Sequence, residues 1–411
     1  MSSNVKFLLA TEPLFGIPVN WTRTYASLFM AALGMSGTQI GAVASLTMVT
    51  QMLVAPLGGY VADRFGRKKI LITFDTIAWI IPTFLWMIAQ NPWYFVAAAI
   101  LNGMSMIIGP SWNCLLVEDT APHRRATVFA ALQLVLLGAG LFSPVAGWIV
   151  QGYSVVMGAR IIYGLTLISV TIMVIARHYR VTETSVGRSR IQEMRNSKFS
   201  DVFANYREIF AMGVKNRNLV YLFFLYTINF AYNTLWHTYS ALYMTAERGL
   251  QLTPAVVSIW PTFSSLVMIL ALLLIVPKVK PEKLPQWLIL SSSLLCGGMG
   301  IFILSPAQSY PVLAVAAVLI ACGMALINPV RDTFIANVID DRARAVLLSG
   351  MNSLSMLLII PITPLAGWLF EINPRFPILV LLIMLAIAVT LSIRLAITAK
   401  EAINQNEEGV K

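Results

Sequence analysis

"GGYVADRFGRKK", residues 58–69, follows an apolar stretch and places five charges within the seven residues 63–69. Charge is rare elsewhere, since only 11% of the 411 residues are charged and 58% are hydrophobic. Soluble domains are about 25% charged and about 45–50% apolar. The chain is therefore an integral membrane protein, and residues 58–69 form a charged connection between two of its spans.

Continuous apolar runs, rather than short alternating segments, predict helical spans and exclude a β-barrel. A helix needs about 20 mostly apolar residues to cross roughly 30 Å of hydrocarbon. Twelve stretches meet this length: 7–33, 38–61, 70–90, 93–117, 126–151, 157–177, 218–245, 253–277, 285–305, 311–337, 344–369 and 376–398. The predicted fold is an all-α integral membrane protein with twelve transmembrane helices. A cleavable signal peptide is not expected, because Glu12 and Arg23 interrupt the first apolar stretch.

The net charge of +11 is unevenly distributed along the chain. Lys and Arg collect in alternate connections, whereas the other connections carry only Arg248 and Arg375. This is the positive-inside pattern, so both termini and the basic connections are expected to face the cytoplasm of a cell (inner or plasma) membrane. Basic charge in this distribution is expected to orient the protein and to contact anionic lipid. Because the distribution explains the positive net charge, a nucleic-acid partner is not expected.

The side chains that carry enzyme or metal chemistry are sparse and scattered. The three cysteines lie inside predicted spans, and neither they nor the three histidines have metal-ligand spacing. No phosphate-binding glycine loop and no pairing of histidine with carboxylate at useful spacing is present. We therefore expect no enzyme activity, no metal and no cofactor.

The second half of the chain repeats the first. An offset of 219 aligns Pro110 with Pro329, an offset of 220 aligns SPVAGW at 143–148 with TPLAGW at 363–368, and an offset of 215 aligns Arg160 with Arg375. Three ordered matches indicate duplication. The predicted organisation is a six-helix half over 1–177, a cytoplasmic linker over 178–217, a second six-helix half over 218–398 and a cytoplasmic tail over 399–411. Within the linker, FSDVFANYREIF at 199–210 has the spacing of an amphipathic interfacial helix.

The opening motif, Gly59-x-x-x-Asp63-Arg64-x-Gly66-Arg67, resembles the loop between spans two and three of the major facilitator superfamily. With twelve spans and a repeated half, the resemblance covers almost the whole chain. It implies that the loop latches the cytoplasmic side of the two halves, with Gly59 allowing close helix approach. Related basic clusters should join this gate, whose expected residues are Gly59, Asp63, Arg64, Gly66, Arg67, Arg125 and Arg344.

Two other family patterns fit poorly. The arginine that precedes a Gln-Gly pair in span four of proton-coupled members is missing before Asn102-Gly103. The span-five antiporter pattern is only partly present, in Gly138, Gly140 and Pro144 among others. These departures weaken a prediction of drug/proton antiport.

The resemblance also implies that spans one, four, seven and ten line a central cavity. Polar residues fall at helical spacing on spans one and seven. Charge within a bilayer is costly, so it should face a partner or a water-filled cavity. The candidate substrate-binding residues are Asn20, Arg23, Asn113, Asn229, Asn233, His237 and Arg331.

Glu12 and Asp332 are the candidate proton carriers, because removal of a carboxyl group from water favours its protonated form. An internal ion pair, of Arg331 with Asp332 or Glu12, is the alternative interpretation. Asp75 lies near a span end and is assigned to packing or the membrane interface.

The predicted function is transport of a small molecule across the cell membrane by alternating access, linked to protons. Efflux is slightly favoured over uptake of an organic anion or polar nutrient. A non-transporting membrane receptor is the alternative of a different class, because fold does not determine function. A monomer is expected from the resemblance, with the substrate, protons and membrane lipid as partners.

Overall fold

The computed structural model describes residues 2–194, 217–338 and 341–408, without the side chains of 281, 336–338, 341–346, 349 and 399–408. Every regular element within these ranges is helical. The predicted amphipathic helix over 199–210 and the side chain of Arg344 lie outside the described residues. The predicted all-helical membrane fold is confirmed.

Twelve α-helices precede the undescribed part of the linker. They are α1 (Ser3–Thr11), α2 (Pro13–Ala32), α3 (Gly37–Val54), α4 (Leu57–Phe65), α5 (Arg67–Asp75), α6 (Ile81–Met87), α7 (Pro92–Gly103), α8 (Ile108–Val117), α9 (Pro122–Gly140), α10 (Ser143–Gly152), α11 (Val155–Arg180) and α12 (Ser185–Glu193). A π-helical turn, Thr76–Ile80, joins α5 to α6, and a 3₁₀ turn, Met104–Ile107, joins α7 to α8.

Eight α-helices follow the linker. They are α13 (Arg217–Thr245), α14 (Pro254–Val257), α15 (Ile259–Leu274), α16 (Leu284–Leu304), α17 (Tyr310–Val338), α18 (Asp341–Ile359), α19 (Ile362–Ile372) and α20 (Phe376–Glu408).

Nine helical segments of the described chain are long and apolar enough to cross a membrane, and the pair α3 and α4, bent by 55°, forms a tenth as one broken span. The remaining two predicted spans, 7–33 and 218–245, are also helical, as α1–α2 and α13. Polar side chains within them lower their hydropathy. The helices are thus consistent with the twelve predicted spans.

The chain divides into two compact units. The first contains the described residues of 1–204 together with 253–262 and 363–367, and the second contains those of 205–252, 263–362 and 368–411. The core of the first unit is apolar and includes the fully buried residues Val5, Leu8, Leu71, Leu115, Leu116, Val128 and Val181.

Two buried glycines, one in each copy of the repeated motif, make close contacts within the first unit. A Cβ atom built on Gly147 would lie 2.7 Å from Ala255 O, and one built on Gly367 would lie 2.7 Å from Thr38 N and closer still to the Gly37 carbonyl. Real Cβ atoms do not approach other atoms within 3.0 Å. We call these two contacts the glycine seam, and only residues without a side chain fit there.

Candidate functional site

A buried cluster of charges occupies the first unit. The guanidinium of Arg177 in α11 lies 2.6 Å from Glu12 Oε2 and 3.8 Å from Asp75 Oδ2. Its Nε donates to Thr11 Oγ1 at 3.1 Å, and its plane lies over the Trp112 ring at 4.7 Å. Three predicted spans therefore supply the charges: span one gives Glu12, span three gives Asp75, and span six gives Arg177.

Breaks in the helices place two of these charged side chains. α1 ends at Thr11 and α2 begins at Pro13, which has no backbone N–H, so Glu12 lies at the interruption. Asp75 is the last residue of α5, directly before the π-helical turn. Such turns within α-helices occur often at functional sites. The local sequence thus places both carboxylates at irregular positions of otherwise continuous spans.

One arginine cannot fully compensate two carboxylates. Glu12 takes the close contact, and Asp75 is left with the longer one at 3.8 Å. The Asp75 side chain is almost completely buried, and its Oδ2 accepts no hydrogen bond from any described residue. A buried carboxylate without hydrogen bonds is costly in its charged form. Asp75 is therefore the least compensated charge of the cluster.

The cluster opens onto a cavity of about 230 Å³ in the first unit. Phe15, Trp79 and Trp112 contribute aromatic surface to its wall, together with Glu12, Leu71, Asp75, Ser105, Ile108, Gly109 and Arg177. The Phe15 and Trp79 rings pack edge to face with centroids 4.7 Å apart. With both carboxylates ionised the site carries a net charge of −1, and with one proton bound it is neutral.

The corresponding position of the second repeat has no charge. The offset of 215 that aligns Arg160 with Arg375 also aligns Arg177 with Ser392, and a similar offset of 217 aligns Asp75 with Ser292. The hydroxyls of Ser292 and Ser392 lie 3.0 Å apart, and both residues are buried. In the second repeat, these two helices thus meet through a hydrogen bond between neutral side chains, whereas the first repeat has an arginine and a carboxylate there.

A second polar cluster, in the second unit, contains several predicted substrate-binding residues. Asn229 Nδ2 donates to Asn328 Oδ1 at 2.8 Å, and Asn233 Nδ2 donates to the Asn229 carbonyl at 2.8 Å. Arg331 binds Asp332 Oδ1 through Nε at 3.0 Å and Nη2 at 2.8 Å. The ion pair that was the alternative interpretation of Arg331 is thus present.

The guanidinium of Arg331 also lies over the Tyr226 ring at 4.7 Å, and the Tyr226 hydroxyl donates to Asn352 Oδ1 at 3.1 Å. The structure therefore brings together four predicted residues in the second unit: Asn229, Asn233, Arg331 and Asp332.

The other predicted cavity residues are dispersed. Asn20 Oδ1 accepts a hydrogen bond from Ser143 Oγ at 2.6 Å, within the first unit. Arg23 is exposed and makes no hydrogen bond or ion pair with a described residue. Asn113 and His237 are exposed as well. Their assignment to substrate binding remains a prediction.

Residues 58–69, called the gate loop from here on, are held within the first unit. Arg67 is buried, and its Nη2 lies 2.6 Å from Asp63 Oδ1 and 3.1 Å from Glu118 Oε1. Arg64 is exposed and donates to the Tyr60 hydroxyl. Gly66 has φ of +96°, a conformation that side chains disfavour. The latch to the opposite half remains a prediction.

Two further gate residues make few contacts. Apart from its chain neighbours and its own helix backbone, a Cβ built on Gly59 would meet no described atom within 4 Å, whereas one built on Gly58 would lie 3.1 Å from Pro110 Cγ and 3.2 Å from the Met106 carbonyl oxygen. The close helix approach is therefore made by Gly58. Arg125 is exposed, and its Nε donates to the Thr120 carbonyl at 3.4 Å.

Sequence reasoning missed two members of the charge cluster. Arg177 is the last residue of predicted span six and received no role, and Asp75 is assigned from the sequence to packing or the membrane interface. The signal that could have identified them is their charge within apolar sequence at spans three and six, close to the helix break at Glu12.

Comparisons with known proteins agree with this architecture. A model of the Major Facilitator Superfamily matches residues 15–356. The quinolone resistance protein NorA of Staphylococcus aureus (strain MRSA252) is 21% identical over 166 residues, which are 40% of this chain and 42% of that protein. The multidrug resistance protein MdtG of Salmonella paratyphi C is 23% identical over 52% of this chain and 55% of its own. The matches thus span about half the length of these relatives.

Two solved structures share the fold. The nucleoside transporter NupG superposes with a TM-score of 0.71 at 15% identity, covering 97% of this chain and 100% of that one. A POT family transporter in complex with 5-aminolevulinic acid superposes with a TM-score of 0.73 at 12% identity, covering 97% of this chain and 96% of that one.

Proposed function

The chain belongs to the Major Facilitator Superfamily, and on that premise we propose that it is a proton-linked secondary transporter that exports a small organic molecule. Membership of this superfamily indicates a multi-pass membrane transporter of a small molecule rather than an enzyme. The observation that carries the finer proposal is the buried cluster of Glu12, Asp75 and Arg177.

Asp75 is the residue that binds the proton. Arg177 compensates Glu12 at 2.6 Å, so protonation of Asp75 leaves a neutral site. Loss of that proton leaves one negative charge beside an apolar cavity, where charge without a partner is expensive. The protonated site is neutral and the deprotonated site is negatively charged, so a proton and a positively charged substrate compete for the same negative charge. Coupled transport requires such a difference between the two states.

The favoured substrate is an aromatic amphiphile with a positive charge. From the sequence, Arg23, Arg331 and His237 in the predicted cavity favour an anionic, zwitterionic or polar substrate. Arg331 pairs with Asp332, and Arg177 of the first-unit cluster pairs with Glu12, so neither guanidinium is left to attract an anion. Arg23 has no carboxylate partner among the described residues and belongs to neither cluster. The deprotonated site in the first unit has a net charge of −1, and the Phe15 and Trp79 rings offer apolar and cation–π contact.

Export is favoured by the relatives. NorA is named a quinolone resistance protein, and MdtG is named a multidrug resistance protein. Resistance of that kind is consistent with removal of amphiphilic molecules from the cell. Uptake of a polar nutrient is the second candidate, and the amide cluster around Asn229 favours it, because it offers hydrogen bonds to a polar ligand.

The test uses proteoliposomes that contain the purified full chain and a pH-sensitive dye. Without an imposed gradient, tetraphenylphosphonium, uridine and succinate are added in turn and lumenal pH is recorded. We expect a pH change with the organic cation only, lost in Asp75→Asn and retained in the exposed control Asp119→Asn. A normal pH change in Asp75→Asn would refute the assignment of Asp75 as the proton-binding residue. Loss of the pH change in Asp332→Asn but not in Asp75→Asn would assign proton coupling to the second unit.

Imposed gradients then separate export from uptake. An exchanger accumulates labelled cation in vesicles with an acidic lumen, whereas a symporter accumulates substrate when the outside is acidic. Entry of no compound under either gradient would favour the receptor interpretation and refute the transport proposal.

A further inference from the structure

The first part of the predicted linker is bound to the gate loop. We call residues 181–193 the linker segment; it runs from the end of α11 through α12. Asn4 Nδ2 donates to the Thr182 carbonyl at 2.9 Å, and Thr182 N donates to Asn4 Oδ1 at 3.1 Å. Val181 is completely buried in the core of the first unit. The linker segment is therefore anchored at its start.

Glu183 caps the helix that follows the gate loop. α5 begins at Arg67, after Gly66, which has no side chain to accept hydrogen bonds from the first N–H groups of the helix. Glu183 Oε2 accepts the Lys68 N–H at 3.0 Å instead. A carboxylate at a helix N-terminus is also favoured by the helix dipole. The linker segment thus supplies a cap that the local sequence lacks.

Thr184 connects the linker segment to the buried arginine. Its hydroxyl accepts the Gly187 N–H at 2.9 Å, which caps α12, and donates to Glu118 Oε2. The other oxygen of Glu118 binds Arg67 Nε at 3.2 Å and Nη2 at 3.1 Å. Glu118 is thereby shared between Arg67 and the linker segment, and Thr184 is completely buried.

Close packing shows how tightly the linker segment fits. A Cβ built on Gly187 would lie 2.8 Å from Thr184 Oγ1 and 3.0 Å from Arg67 Cδ, so α12 rests directly on the arginine. Ser185 Oγ adds a hydrogen bond to Asp119 Oδ1 at 3.1 Å. Residues 181–187 of the linker segment are thus held by hydrogen bonds, by the buried Val181 side chain and by close packing against Arg67.

We propose that the linker segment is a fixed support of the gate loop, and that Glu183 is a positioning residue that sets the start of α5 and thereby Arg67. The first thirteen residues after α11 are then part of the gate and not a spacer. Glu183 acts through the Lys68 amide and touches no substrate.

The test is hydrogen exchange of the backbone amides at 67–70 in the purified full chain, with Glu183→Leu and Glu183→Gln compared. Loss of a helix cap should speed exchange at Lys68 about five- to tenfold in Glu183→Leu. Glu183→Gln keeps an acceptor oxygen and should remain close to the unchanged protein. Glu193→Gln is the matched control, because Glu193 is exposed on the same segment and pairs with Arg190 at the surface.

Transport provides the second readout. Glu183→Leu should lower the maximum rate of the organic cation exchange without changing KM, and Glu183→Gln should restore it. Unchanged exchange at Lys68 in Glu183→Leu would overturn the proposal. Equal loss in Glu183→Gln and Glu183→Leu would also overturn it, because charge rather than the cap would then be responsible. The hydrogen-exchange result stands whether or not the proposed substrate is transported.

Discussion

The glycine seam should respond sharply to the addition of one methyl group. In Gly367→Ala, the new Cβ would lie 2.7 Å from Thr38 N and closer to the Gly37 carbonyl, below the 3.0 Å limit of real contacts. These neighbours are backbone atoms and cannot rotate away. Overpacking of this kind costs about 1–3 kcal/mol. The arrangement seen here should therefore lose about 5- to 140-fold in population relative to any state that separates the seam.

The assay is labelling of a single cysteine at the seam. Cys114, Cys296 and Cys322 are first replaced by serine, and buried Val257 in α14 is replaced by cysteine. An impermeant maleimide is added on the side that the positive-inside pattern predicts to be outside. The cysteine in Gly367→Ala should be labelled about 5- to 140-fold faster than in the protein with Gly367 unchanged.

The control is Gly138→Ala, because a Cβ at that position would meet no described atom within 4 Å apart from its chain neighbours and its own helix backbone. It should label at the original rate. If Gly367→Ala folds with an unchanged melting temperature and also labels at the original rate, the glycine seam does not constrain the transport cycle and the reasoning is refuted.

Three further predictions concern stability, the gate and the second unit. Leu115→Ala, at a completely buried core position, should lower the free energy of unfolding by about 2–5 kcal/mol in detergent, whereas exposed Leu53→Ala should change it little. Gly66→Ala should slow transport, since φ is +96° and its Cβ would lie 2.7 Å from a carboxylate oxygen, while Gly59→Ala should not. Asn328→Ala should leave both the KM for the organic cation and the pH response unchanged, because it breaks only the amide cluster of the second unit; loss of the pH response would contradict the placement of coupling in the first unit.

Much of the fold could be predicted from the chain. Apolar runs of sufficient length predict helices because a lipid environment leaves backbone groups no other partners. The loop motif around Asp63 and Arg67 indicated the family, and the match over 15–356 confirms it. A charge within an apolar run requires a partner, which is why the sequence singles out Glu12. Its partner in the structure is Arg177 and not Arg331, and its role as a proton carrier remains a prediction.

The partner itself could not be predicted in this way. Helical spacing reports which residues share a face of one helix, but it contains no information on which faces of different helices meet. Arg177 is 165 residues from Glu12 along the chain, and it contacts both Glu12 and Asp75 only after three spans have packed together. The same limitation hid Glu183, which caps a helix 115 residues earlier. The sequence by itself determined the membrane class, the spans and the repeat, because these follow from local hydropathy and spacing. Tertiary packing alone decided which charges pair and which carboxylate is left without a full partner, because pair energies depend on distance in space and not on separation along the chain.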